Sequence, residues 1–135
     1  MTAITNRPVN QSTDSLLRFA LRADATLCAG LGLLVAMTAD ALSRISGLTP
    51  TSEWIAGAAL VGYGVALYVA AGLHDVRRVG IGVLAGNVAF AVAVVVVLAA
   101  GWLPLTEFGV AATIAFTAVT LAFAYAQYLG VRRLA

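Results

Sequence analysis

Four apolar runs, each about as long as a bilayer is thick, occupy nearly the whole of this 135-residue chain. A hydrocarbon core of about 30 Å needs roughly 20 mostly apolar residues in helical form. The runs predict helices over residues 15–46, 52–73, 76–102 and 105–131. The third contains "VAFAVAVVVVLAAGW", whose β-branched residues would favour a strand in water. In lipid a lone strand leaves its backbone polar groups unpaired, so helix is the reading there too. The fold class that follows is all-α: a polytopic membrane protein built as an antiparallel bundle of four transmembrane helices over residues 15–135. Composition agrees, with 61% hydrophobic and 10% charged residues, against about a quarter charged in soluble domains.

The opening "MTAITNRPVNQSTDS" is polar throughout and lacks the apolar centre of a cleavable signal peptide. Residues 1–14 read as a flexible cytoplasmic tail, leaving the first run to act as an uncleaved anchor. All eight basic residues are arginines, and seven of them (Arg7, Arg18, Arg22, Arg77, Arg78, Arg132, Arg133) fall on one side of the predicted spans, with Arg44 alone on the other. This asymmetry places both termini and the middle loop in the cytoplasm, and the chain in a cytoplasmic membrane. It also explains the net charge of +2 without nucleic acid.

The two remaining connections share a pattern. "GLTPTSEW" (47–54) and "GWLPLTEF" (101–108) carry Gly, Pro, Glu and an aromatic at similar spacing, fifty-four residues apart. Gly47 and Gly101 suit the left-handed residue that ends a helix, and Pro50 and Pro104 stop its continuation. Ser52 and Thr106 are candidate caps for the next helix, with Glu53 and Glu107 near its positive end. Both turns are expected on the outer face. Two readings stay open: a true duplication of a helical hairpin, or two hairpins that need similar turns.

Polar residues inside the runs are the candidate functional positions. Between Asp24 and Asp40 lie 15 uncharged residues, about 22 Å of helix, which places both acids near the hydrocarbon edges. Asp40 and Arg44, one turn apart in acid-first order, read as a structural ion pair. Asp24 reads as a structural partner for Arg22, His74, Arg77 or Arg78. Asn87 lies deepest, where an amide seeks a partner on another helix; Tyr68, Thr120 and Tyr125 are within reach by depth. Asp24, Asn87, Tyr68 and Tyr125 form the candidate ligand-binding set. Gly82 and Gly86, with Gly57, Gly62 and Gly64 in the second span, allow close helix approach. Single Cys28 and single His74 give no disulfide, zinc site or cofactor ligand set, and no nucleophile and base pair marks a catalytic centre.

The motifs "LRADA" (21–25), "AGN" (85–87), "LTEFG" (105–109) and "QYLGVRR" (127–133) resemble a group of small four-helix integral membrane proteins of bacteria. The resemblance covers residues 16–133 and implies an aromatic soon after the Asn of the third helix, matched by Phe90. It implies the fold and carries no activity. The function expected from the sequence is that of a non-catalytic accessory, assembly or modulator subunit, working through helix contacts with another membrane protein or a second copy. The alternative is a small transporter or a small-molecule or lipid-binding protein; an enzyme acting on lipid or quinone is the remaining reading. Geometry separates the first two: Asp24, Asn87 and a tyrosine around one pocket favour a ligand, and a filled bundle with an apolar outer groove favours a partner.

Overall fold

The computed structural model describes the backbone of residues 2–134 and the side chains of residues 14–134. Five helices follow in order: α1 (Thr2–Met37), α2 (Ala39–Ser46), α3 (Pro50–Ala70), α4 (Val76–Ala100) and α5 (Glu107–Arg133). No strand occurs among the described residues. Four stretches are long and apolar enough to cross a membrane: Asp14–Met37, Pro50–Ala70, Val76–Ala100 and Glu107–Arg133. Helix α1 begins at Thr2, within residues 1–14 expected as a flexible tail; the side chains of residues 1–13 lie outside the described residues.

The expected first helix, 15–46, is two helices. Thr38 has φ −110° and ψ 20°, away from the helical minimum. Its hydroxyl and its backbone N–H both donate to Leu34 O, at 2.6 Å and 3.0 Å. Beyond the break, Asp40 and Arg44 are both exposed. They do not pair; the ion pairs among the described residues are Asp14–Arg18 and Asp75–Arg78. Asp40 instead borders a depression with Pro50, Thr51 and Trp54, beside the positive end of α3.

Small residues set the packing. A Cβ on Gly64 would meet Ala25 O at 2.6 Å and Ala29 N at 2.7 Å, and one on Gly57 would meet Ala36 N at 2.6 Å. Backbones of α1 and α3 therefore run antiparallel in close contact. Gly130 of α5 and Gly80 of α4 close on Leu17 in the same way. Around them Leu21, Ala25, Leu67, Ala71, Val76 and Val131 complete an apolar plug beside the connection between α3 and α4. Packing runs α3 to α1, α1 to α5 and α5 to α4, whereas α3 and α4 barely touch although one short loop joins them.

Both repeated turns end their helices on a left-handed glycine, Gly47 at φ 91° and Gly101 at φ 67°. From there they diverge. The cap of α3 is Thr49, accepting from Ser52 N at 3.1 Å, with Pro50 in the first turn; Ser52, the expected cap, lies inside the helix. Thr106 caps α5 as expected, accepting from Gly109 N at 3.1 Å, and Pro104 stays outside the helix. Glu53 is buried and accepts from the Ser46 hydroxyl, whereas Glu107 is exposed. The turns also lock onto one another: Thr106 N donates to Ser46 O at 2.9 Å and its hydroxyl donates to Ile45 O. Removing that hydroxyl by Thr106→Ala should cost about 1–2 kcal/mol, read from equilibrium unfolding in mixed micelles, and Thr106→Ser should restore most of it.

Candidate functional site

Three buried polar side chains from three helices meet inside the spanning region. Asp24 (α1) is 4% exposed, Asn87 (α4) 6% and Gln127 (α5) 0%. Gln127 Nε2 donates to Asp24 Oδ2 at 2.9 Å, and Asn87 Nδ2 donates to Gln127 Oε1 at 2.9 Å. A longer contact of 3.5 Å runs from Asn87 Nδ2 to Asp24 Oδ2. One turn along α1, the Cys28 thiol donates to Asp24 Oδ1 at 3.4 Å. The carboxyl therefore receives donors on both oxygens, which is what burial of such a group requires.

Among the described residues Asp24 makes no ion pair, in contrast to the partner expected from the neighbouring charges; its buried carboxyl is answered by amides of α4 and α5. Asn87 lies close to the middle of Val76–Ala100. The neighbouring arginines mislead because their side chains leave the vicinity of Asp24. Arg18 donates to Ala71 O at 2.7 Å and Leu73 O at 3.0 Å, back toward the end of α3. Arg22 stands over the Tyr68 ring, 5.1 Å from its centre. Arg77 and Arg78 are exposed in the first turn of α4.

Above the plug and beside the triad, the gap between α3 and α4 forms a cavity of about 540 Å³. Asp24, Cys28 and Asn87 line its floor, while Leu60 and Tyr63 of α3 face Phe90 of α4 and Phe116 and Thr120 of α5. Phe90 and Phe116 meet edge to face, centroids 5.9 Å apart. Ala56, Ala59, Gly86 and Phe90 are lining residues that are also exposed, so the cavity is a cleft opening between the two helices.

Of the four candidate binding residues, Asp24 and Asn87 are brought together and the two tyrosines are elsewhere. Tyr68 lines a separate outer groove with Phe19, Leu27 and Phe123, and Tyr125 is 65% exposed. Tyr63 takes their place at the cleft. Gln127 and Cys28 are the residues that sequence reasoning passed over. A signal for Gln127 was present: Thr117, Thr120, Ala124, Gln127 and Gly130 recur at three- and four-residue spacing, and all are buried. Groups of three or more metal-ligating side chains do not occur among the described residues.

Comparison with protein-family models, with curated proteins and with solved structures found no match to this chain.

Proposed function

We propose that this chain is a non-catalytic membrane protein that binds a small molecule in the cleft between α3 and α4, as a ligand-binding protein or a small transporter. One observation carries the reading: Asp24, Asn87 and Tyr63 line one cavity inside the spanning region. Polar groups at that depth are costly, and their default use is a ligand or ion pathway. A packing role alone would be served by a closed interior, whereas here α3 stands apart from α4 beside the polar floor. Between two spanning helices the opening would face acyl chains, giving a lipophilic ligand entry from the bilayer.

The accessory-subunit reading comes second. It is supported by the apolar outer groove of about 670 Å³ that includes Phe19, Leu27, Leu31 and Phe123, which a helix of another protein or of a second copy would cover. Acyl chains fill such a groove equally well, but they cannot answer the acceptors of the cleft floor. For location we propose the cytoplasmic membrane of a bacterium with both termini inside, supported by the arginine asymmetry. A reporter fused to the C terminus should be active only on the cytoplasmic side; activity only outside would reverse the topology.

Native mass spectrometry of the protein, extracted gently from the membranes of cells that express it, tests the main reading. Wild type should retain a defined small molecule that Ala59→Trp, which fills the mouth of the cleft, does not. A reproducible second protein with no retained small molecule would favour the accessory reading instead.

A further inference from the structure

The hydrogen-bonding capacity left open in the cleft is nearly all acceptor. Cys28 spends its thiol proton on Asp24, Asn87 Nδ2 is directed at Gln127 and Asp24, and the Thr120 hydroxyl donates to Phe116 O at 3.0 Å. Gln127 is fully buried behind Asp24 and Asn87 and does not line the cleft, so it presents nothing to it. Asn87 Oδ1 accepts from none of the described residues, and it is not sealed from the surroundings, because no buried side-chain polar atom among the described residues lacks a partner. The remaining lone pairs of Asp24 and Thr120 join it. Tyr63 alone, with one hydroxyl, can act in either sense.

Nor does a cation answer the carboxyl. Among the described residues Asp24 makes no ion pair, and Arg22, two positions away and therefore on nearly the opposite face of α1, is held over Tyr68. Tyr63, Phe90 and Phe116 offer aromatic surface beside the acid, which attracts cations and apolar bodies alike. A volume of about 540 Å³ falls in the range of small-ligand sites.

Resting on the ligand-binding reading above, we propose that the cleft takes a lipophilic amine in its protonated form. The ammonium donates to Asp24 and to Asn87 Oδ1, and the apolar body lies among Leu60, Phe90 and Phe116. A neutral analogue loses the charge complement, and an anionic one meets a single donor, the Tyr63 hydroxyl, beside the Asp24 carboxyl.

The test uses the full chain in nanodiscs of zwitterionic lipid, so that bilayer charge does not draw the amine in. 1-Naphthylmethylamine, 1-naphthylmethanol and 1-naphthoate share a fluorescent ring and differ in head group; binding is read near neutral pH by anisotropy against empty discs. The amine should bind at least about tenfold tighter than the alcohol, with the acid weakest. Asp24→Asn should weaken the amine by about tenfold or more, the scale of a truncated buried charge contact, and leave the alcohol within about threefold. Ala59→Trp should remove both. The trimethylammonium analogue, charged but without N–H donors, should bind at least about threefold less tightly than the amine; parity would overturn the donor-to-acceptor assignment. Equal binding of amine and alcohol, both lost in Ala59→Trp, would overturn the amine while sparing the ligand-binding reading. Binding of none of the three, or binding indifferent to Ala59→Trp, would overturn both. The wild-type ratio decides the matter even if Asp24→Asn does not fold.

Discussion

Gly64→Ala should destabilise the protein by about 3 kcal/mol, the upper end of the usual overpacking range. The added Cβ would lie 2.6 Å from Ala25 O and 2.7 Å from Ala29 N. Both obstacles are backbone, so no side chain can rotate out of the way and α3 must shift along its whole contact with α1. The consequence reaches the cleft, because Leu60 and Tyr63 ride on α3 while Asp24 and Cys28 ride on α1. Gly62 and Gly82 supply the control. A Cβ there meets nothing within 4 Å, so alanine should be neutral or should stabilise by up to about 1 kcal/mol through helix propensity. Equilibrium unfolding in mixed micelles, followed by helical circular dichroism, reads all three variants. A Gly64→Ala protein as stable as Gly62→Ala would contradict the close α1–α3 packing.

Gln127→Leu should cost about 2 kcal/mol, as expected when buried polar partners are left unmade. Typical interhelical hydrogen bonds in membranes contribute only about 0.6 kcal/mol each, and that smaller figure would apply if Gln127 merely joined two helices. Its position is different. It donates to Asp24 and accepts from Asn87, both at 2.9 Å, so one substitution strips an acid and an amide together in a site with 0% exposure at its centre. In a double-mutant cycle with Asp24→Asn the two effects should be non-additive by about 1 kcal/mol. Additive effects would mean that the side chains do not act as one network.

The four spans were legible because apolar run length and backbone satisfaction in lipid leave helix as the answer. The two glycine stops were legible for a similar reason, since a left-handed residue and a following proline are local chemistry. What the letters hid were departures made by side-chain direction and tertiary contact. Thr38 looks like one polar residue in a long apolar run, and the break between α1 and α2 falls on it. The two turns share letters but not caps: Pro50 enters α3, whereas Pro104 stays outside α5. Arg22 seemed a partner for Asp24, yet the long side chain turns to Tyr68 while the acid is buried. Two members of the candidate site, Asp24 and Asn87, could be named from burial cost alone. Tyr63, Cys28 and Gln127 depend on which helix faces meet, and that is a property of the packing.

The most direct test of the central claim is magic-angle-spinning NMR of the protein in lipid bilayers, with carbon and nitrogen labels, reading side-chain contacts of Asp24 and lipid contacts of the cleft mouth. The account predicts cross-peaks from the Asp24 carboxyl carbon to the side-chain nitrogens of Gln127 and Asn87, together with transfer from acyl-chain protons to Ala59 and Gly86. An Asp24 carboxyl that correlates with an arginine guanidinium and with neither amide would contradict it, and would restore the acid to the ion pair expected from the neighbouring charges.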